Sequence, residues 1–148
     1  MNIIKIFFLL PSKSKFLQGF SDEKLRNMAE SVWQNLNSLS PVLLIITALF
    51  GIGFAIFYYT GYNEMPGRHY KIRHWGCFAV VACVLSFFCT LAIEYFMIKT
   101  SLNAGVTPLY WLCALNNAAY CFILYFLTSF VWCNMCSTNA YKFLKIKR

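Results

Sequence analysis

Three long apolar runs constrain this chain more than any other feature of its sequence. They cover residues 41–59, 75–98 and 108–132, and each is close to the roughly 20 residues that a helix needs to cross a bilayer. Hydrophobic residues make up 59% of the chain and charged residues only 12%, unlike a soluble domain. Since the runs lack the alternation of barrel strands, they predict an all-α integral membrane protein with about three transmembrane helices in one bundle, residues 40–133.

Two of the predicted spans begin with a hydroxyl residue followed by proline. Ser40 precedes Pro41, and Thr107 precedes Pro108. The hydroxyl can cap a first turn, where the missing N–H of proline does no harm, so we expect a helix to begin at each site. Interfacial aromatic residues agree with three crossings, because one group falls near one membrane face and a second near the other: Tyr58, Tyr59, Tyr62, Tyr70, Trp75 and Trp132, and then Tyr95, Tyr110 and Trp111.

The region before the first span divides into two parts. Residues 1–20 begin with a short apolar stretch but lack a small-residue cleavage site, so we interpret them as an uncleaved interfacial segment, either a helix at the interface or a segment packed against the bundle. Residues 21–39 are predicted to form an amphipathic helix, because their apolar residues recur at helical spacing: Leu25, Met28, Ala29, Val32, Trp33 and Leu36. The opposite face mixes acidic and basic side chains, which favours packing against protein over lying on the bilayer surface.

The basic residues indicate an orientation and a class of partner. Those near span ends are concentrated on the side that holds the loop at residues 60–74 and the basic C-terminal tail, residues 134–148. Such charges favour the cytoplasmic face, so we expect the N-terminus outside and the C-terminus in the cytoplasm. The formal net charge of +8 suits anionic membrane lipids, and the sequence has no motif that points to nucleic acid.

A carboxylate inside the second span is the leading candidate for a functional residue. Glu94 ends a row with Ser86 and Thr90 at intervals of four residues. A similar row runs along the third span: Cys113, Asn117, Cys121, Tyr125, Ser129 and Cys133.

Counted from the span centres, Glu94 lies in the same half of the bilayer as Asn116 and Asn117, and Lys99 follows at the interface. An intramembrane acid is costly and normally faces protein or water. We therefore expect a polar cluster that acts as structural glue, as part of an ion or proton path, or as a snorkelling residue.

Two further groups are candidates for binding and packing. Ala48, Gly51 and Ala55 form a small-residue face on the first span, which lets another helix of the same chain or of a partner approach closely. The loop before the second span carries five basic or imidazole side chains: Arg68, His69, Lys71, Arg73 and His74. They can anchor the loop at lipid headgroups, or they can bind an acidic partner or a lipid phosphate.

Histidine and cysteine at the ends of two spans raise the possibility of a zinc site. His74 and Cys77 begin the second span, while Cys133 and Cys136 end the third, and one imidazole with three thiolates is a known zinc ligand set. Packing at the interface is the simpler interpretation, so we predict no metal and no cofactor. The sequence also has no catalytic motif of a known enzyme class, and we expect a protein that is not an enzyme.

Taken together, these features predict a small polytopic membrane subunit that acts by association. It would oligomerise or anchor a larger membrane assembly through its packing faces, its basic loop and its N-terminal helix, with membrane lipids and other membrane subunits as partners. The alternative is an oligomeric pore or ion-conducting protein that uses the cluster of Glu94, Asn116 and Asn117.

Overall fold

The computed structural model describes residues 11–63, 65, 72–98, 107–136 and 144–145, and the regular structure in them is helical. The helices are α1 (Lys13–Gln18), α2 (Glu23–Phe57), α3 (Ile72–Met97) and α4 (Thr107–Met135), and a π-helical segment, Tyr58–Tyr62, continues α2. Three of these helical stretches are long and apolar enough to cross a membrane: Glu23–Tyr62, Ile72–Met97 and Thr107–Met135. The prediction of an all-α protein with three candidate spans is confirmed.

The helix α2 joins two elements that the sequence analysis separates. It runs without a break through Pro41, so the prediction that a helix begins there is wrong. The elements predicted at residues 21–39 and 41–59 are joined in one helix, Glu23–Phe57, of about 52 Å. Leu36 and Leu43, on either side of the proline, are fully buried in the same core cluster. This shared burial holds the helix together although Pro41 has no N–H to donate. The predicted helix start at Pro108 agrees with the structure to within one residue, since α4 begins at Thr107.

Two other predicted boundaries shift by a few residues. The chain stays helical through Tyr62, beyond the predicted end of the first span, and α3 begins at Ile72, before the predicted start at Trp75. Arg73 and His74 therefore lie in the first turn of α3 and not in a loop. Several residues and segments singled out by the sequence fall outside the described residues: Arg68, His69, Lys71 and Lys99, the first ten residues, and most of the C-terminal tail.

The described residues form two compact units, and each long helix contributes to both. The first unit lies within Met1–Ile45 and Phe87–Asn117, and the second within Ile46–Ser86 and Ala118–Arg148. In the first unit, the apolar stripe of α2 is buried at Ala29, Val32, Trp33 and Leu36. Its covering partners come from the same chain, namely Phe16 and Phe20 around α1 and residues at the adjoining ends of α3 and α4: Ile98, Leu109, Tyr110 and Cys113.

The second unit has a largely aromatic core. Tyr58 and Tyr59 are buried with Cys133, and the rings packed against them are Tyr62, Trp75, Phe78 and Trp132. Hydrogen bonds between its helices include those from Trp75 Nε1 to Ser129 Oγ over 2.9 Å and from Tyr125 OH to the Trp75 carbonyl over 3.2 Å, and Tyr59 OH lies 3.3 Å from Cys133 Sγ. Five of the six residues that the sequence assigns to one interface thus share this aromatic core, namely Tyr58, Tyr59, Tyr62, Trp75 and Trp132, and Tyr70 lies outside the described residues.

Candidate functional site

The polar rows of α3 and α4 face the interior of the protein. Ser86, Thr90 and Glu94 are each 0% exposed, as are Asn117 and Cys121 on α4. A step of four residues turns a helix by about 400°, so such residues form one ridge along its surface. The outward faces of α3 and α4 instead carry large apolar side chains, including Val80, Phe88, Leu115 and Phe126.

Within the first unit, the two rows meet in pairs. Asn117 Nδ2 donates a hydrogen bond to Thr90 Oγ1 over 3.1 Å. One helical turn further along α3, the carboxyl of Glu94 interacts with the thiol of Cys113, one turn earlier on α4. Moving from Thr90 to Glu94 along α3 therefore corresponds to moving back from Asn117 to Cys113 along α4. This is the pattern expected of antiparallel helices whose ridges interlock.

Within the second unit, the same register recurs. Ser86 is within hydrogen-bonding reach of the Cys121 thiol, and its hydroxyl Oγ also lies 3.5 Å from Thr47 Oγ1 on α2. Cys83, nearly one turn before Ser86, is paired with the same Cys121 thiol. Short polar side chains therefore link helices from inside the unit, where no water is needed to satisfy them.

Glu94 differs from the other members of the two rows because its neighbour Cys113 does not satisfy its carboxyl oxygens. It is fully buried, and neither of its carboxyl oxygens has a hydrogen-bond partner of good geometry among the described residues. The thiol of Cys113 is only a weak donor. Glu94 also has no salt bridge within the described part of the chain, where the ion pair is that of Lys13 with Glu30. An ionised carboxylate in such surroundings is uncompensated, at a cost of several kcal/mol.

The asparagines of the predicted cluster lie in the same unit. Asn116 and Asn117 are both 0% exposed. The amide Nδ2 of Asn117 is bonded to Thr90, while its oxygen Oδ1 has no partner within the described ranges. The structure therefore connects Asn117 to Thr90 as a hydrogen-bonded pair and gives Glu94 a neighbour, Cys113, that was not part of the predicted polar cluster. The row to which both Cys113 and Asn117 belong is the signal that could have revealed this neighbour.

The predicted small-residue face is used inside the chain. Gly51 and Ala55 are buried, and Ala48 is half-buried. A Cβ atom at Gly51 would lie only 2.8 Å from the carbonyl oxygen of Cys121 and 2.9 Å from the Cβ of Leu124. The backbones of α2 and α4 therefore approach closely at this glycine, in the way that small residues permit.

The remaining candidates are dispersed. Arg73 is exposed, and His74 is half-buried with its ring against Tyr62. Cys77 is exposed and Cys133 is buried beside Tyr59, while the described residues contain no group of three or more histidine, cysteine or acidic side chains that could hold a metal ion. The zinc set of His74, Cys77, Cys133 and Cys136 is thus not assembled.

Comparison with known proteins leaves the site to be interpreted from its own chemistry. No family model matches the chain, and no curated protein or solved structure shows significant similarity to it.

Proposed function

We propose that this chain is a non-enzymatic subunit that anchors a larger membrane assembly and works by association with other membrane proteins. The supporting observation is a change in the outward face of α2. Before Pro41 this face is polar and exposed, with Glu23, Arg26, Asn27, Gln34 and Asn35, whereas after it the exposed side chains are apolar, with Val42, Ile45 and Leu49. Such a change is expected where a helix passes from water into lipid.

This change gives the two halves of α2 different roles. We infer that the second half crosses the membrane and that the first half presents its mixed-charge polar face to water. The apolar side of the first half is already covered by the chain itself, so the polar side is the part left for a partner. A face with both acidic and basic groups suits a protein surface better than a lipid surface.

The interior supports an anchoring role. The polar groups of the bundle are paired with each other at Thr90 and Asn117 and at Ser86 and Cys121. Such pairs specify the register of neighbouring helices. In this proposal the membrane is crossed three times with the N-terminus outside, and basic residues such as Arg73 and Lys145 contact lipid headgroups.

The mass of the native complex tests this proposal. The full chain is extracted from its own membranes in mild detergent and in lipid nanodiscs, and its mass is measured by native mass spectrometry. We expect a complex heavier than the single 17.1 kDa chain. Charge reversal on the polar face, Lys24→Glu with Arg26→Glu, should release the partner, while the control Lys15→Glu, an exposed lysine of α1 outside this face, should not. Recovery of single chains alone in both preparations would refute the proposal.

A second candidate function is an ion-conducting oligomer. It is favoured by the carboxyl oxygens of Glu94, which are buried without partners among the described residues, since such acids often mark ion or proton pathways. The two candidates are separated by flux measurements on the purified chain in liposomes. Conduction predicts a flux that Glu94→Gln abolishes, whereas the anchoring role predicts no flux in either variant.

A further inference from the structure

We propose that Glu94 and Asn117 form a proton-binding site, in which Glu94 is held as the neutral carboxylic acid with Asn117 Oδ1 as the acceptor of its hydrogen. The inference concerns what the buried acid binds. It requires neither a partner protein nor conduction across the membrane, so it stands apart from both candidate functions.

The first step is the hydrogen-bond balance of the acid and the amide oxygen. Both carboxyl oxygens of Glu94 and the amide oxygen of Asn117 are buried in the same unit, and none of these three oxygens has a partner among the described residues. While Glu94 is ionised, none of the three carries a hydrogen, so they cannot satisfy one another. One added proton changes this balance, because it turns a carboxyl oxygen into a donor and leaves the amide oxygen as its acceptor.

The second step is the orientation of the amide. Because Thr90 accepts a hydrogen bond from Asn117 Nδ2 at 3.1 Å, the nitrogen end of the amide is already occupied. The oxygen end is therefore the one available to accept. Asn117 lies one turn from Cys113, on the same ridge of α4 that Glu94 contacts, so the acid and the amide lie along one helix interface.

The third step is the absence of a competing charge in the described part of the first unit. The other titratable groups buried there are the Cys113 thiol and the Tyr110 phenol, which are both neutral acids. The residues that α2 buries in this unit are not titratable: Ala29, Val32, Trp33, Leu36, Ser40 and Leu43. The charged side chains of α1, and of α2 in this unit, are exposed or, like Glu30, paired at the surface.

The fourth step argues against a divalent metal ion as the resident ligand. Calcium takes six or more oxygen ligands, magnesium six, and zinc four nitrogen, sulfur or oxygen ligands. The described residues offer no group of three histidine, cysteine or acidic side chains. A proton needs only one donor and one acceptor, and Glu94 with Asn117 supplies that pair. Since Glu94 lies three residues before Met97, the last residue of α3, we infer that protons exchange from that end of the helix.

Infrared spectroscopy of the full chain in liposomes tests this inference directly. A neutral carboxylic acid absorbs through its carbonyl stretch, apart from the bands of carboxylates. At pH 7 we expect one such band in the wild type, shifted when glutamate is labelled with ¹³C at its carboxyl carbon, and lost in Glu94→Gln. Asn117→Leu should move the band to the position of an acid without a hydrogen-bond acceptor. The isotope shift is read in the wild type, so it does not depend on how a variant folds.

Two controls test whether the band belongs to Glu94 and whether its proton exchanges. Glu23→Gln with Glu30→Gln removes acids outside the site and should leave the band unchanged. Raising the pH should remove the band in the wild type and return it on acidification, which shows that the proton exchanges. If the labelled wild type has no neutral glutamic acid band at pH 7, or if the band survives in a folded Glu94→Gln chain, the inference is overturned.

Discussion

Asn117 on α4 donates its amide Nδ2 to the hydroxyl Oγ1 of Thr90 on α3 across 3.1 Å, and both side chains are fully buried. This bond holds the two helices in one register within the first unit. A slip of one turn would keep polar rows opposite each other but would change every partner. The pair therefore specifies a single alignment among several that the rows alone would allow.

A double-mutant cycle should measure this bond. Thr90→Val and Asn117→Leu each remove one partner, and we expect the two effects to be non-additive with a coupling of about 0.6 kcal/mol, the average for hydrogen bonds between membrane helices. The free energy of unfolding is read from helicity during denaturation of the lipid-detergent complex by a strong detergent. Additive effects within error would show that the bond contributes nothing to stability.

The close approach at Gly51 yields a matched pair of substitutions. Gly51→Ala places a methyl group 2.8 Å from the Cys121 carbonyl oxygen, so we expect a loss of about 1–3 kcal/mol in the free energy of unfolding. Gly53→Ala, two residues away on the same helix, meets nothing within 4 Å and should be neutral or slightly stabilising. The same denaturation assay compares both variants, and equal effects would mean that α4 does not pack at Gly51.

The sequence predicted the elements of this fold better than their pairing. Helix length and apolar content follow from bilayer thickness and helix geometry, so three spans could be read directly. The rows containing Glu94 and Asn117 were visible as well. Their partners were not, because a ridge with a repeat of four residues matches its neighbour equally well after a slip of one turn. Close contacts such as the one at Gly51 help to select the register, but the sequence alone does not show which residues of the neighbouring helix they meet.

The error at Pro41 has a comparable cause. Local rules favour proline in a first turn, and they applied at Pro108 in the first turn of α4. At Pro41, burial of Leu36 and Leu43 in one core cluster outweighed the lost backbone hydrogen bond. Proline marks a helix start reliably only where burial of the residues around it does not favour a continuous helix. The sequence alone does not show which residues are buried in the same core.

Trp75 should be more sensitive to substitution than another tryptophan of the bundle. Its indole Nε1 donates to Ser129 Oγ over 2.9 Å, and Trp75→Phe leaves Ser129 without this donor, which we expect to lower the free energy of unfolding by about 1 kcal/mol beyond the loss of ring contacts. Trp111→Phe is the control, because Trp111 is 53% exposed. If Trp75→Phe lowers the free energy of unfolding equally with Ser129 and with Ser129→Ala, the hydrogen bond does not cause the loss.

The two prolines of the predicted helix starts give the last prediction. Pro41 lies inside α2, so Pro41→Ala restores a backbone N–H to the helix interior and should raise the free energy of unfolding by about 1–3 kcal/mol. Pro108 lies in the first turn of α4, where that N–H has no helical partner, and Pro108→Ala should change stability by less than about 0.5 kcal/mol. Denaturation in the same lipid-detergent mixture compares them. A destabilising Pro41→Ala would show that the packing of Leu36 and Leu43, on either side of position 41, depends on proline at that position.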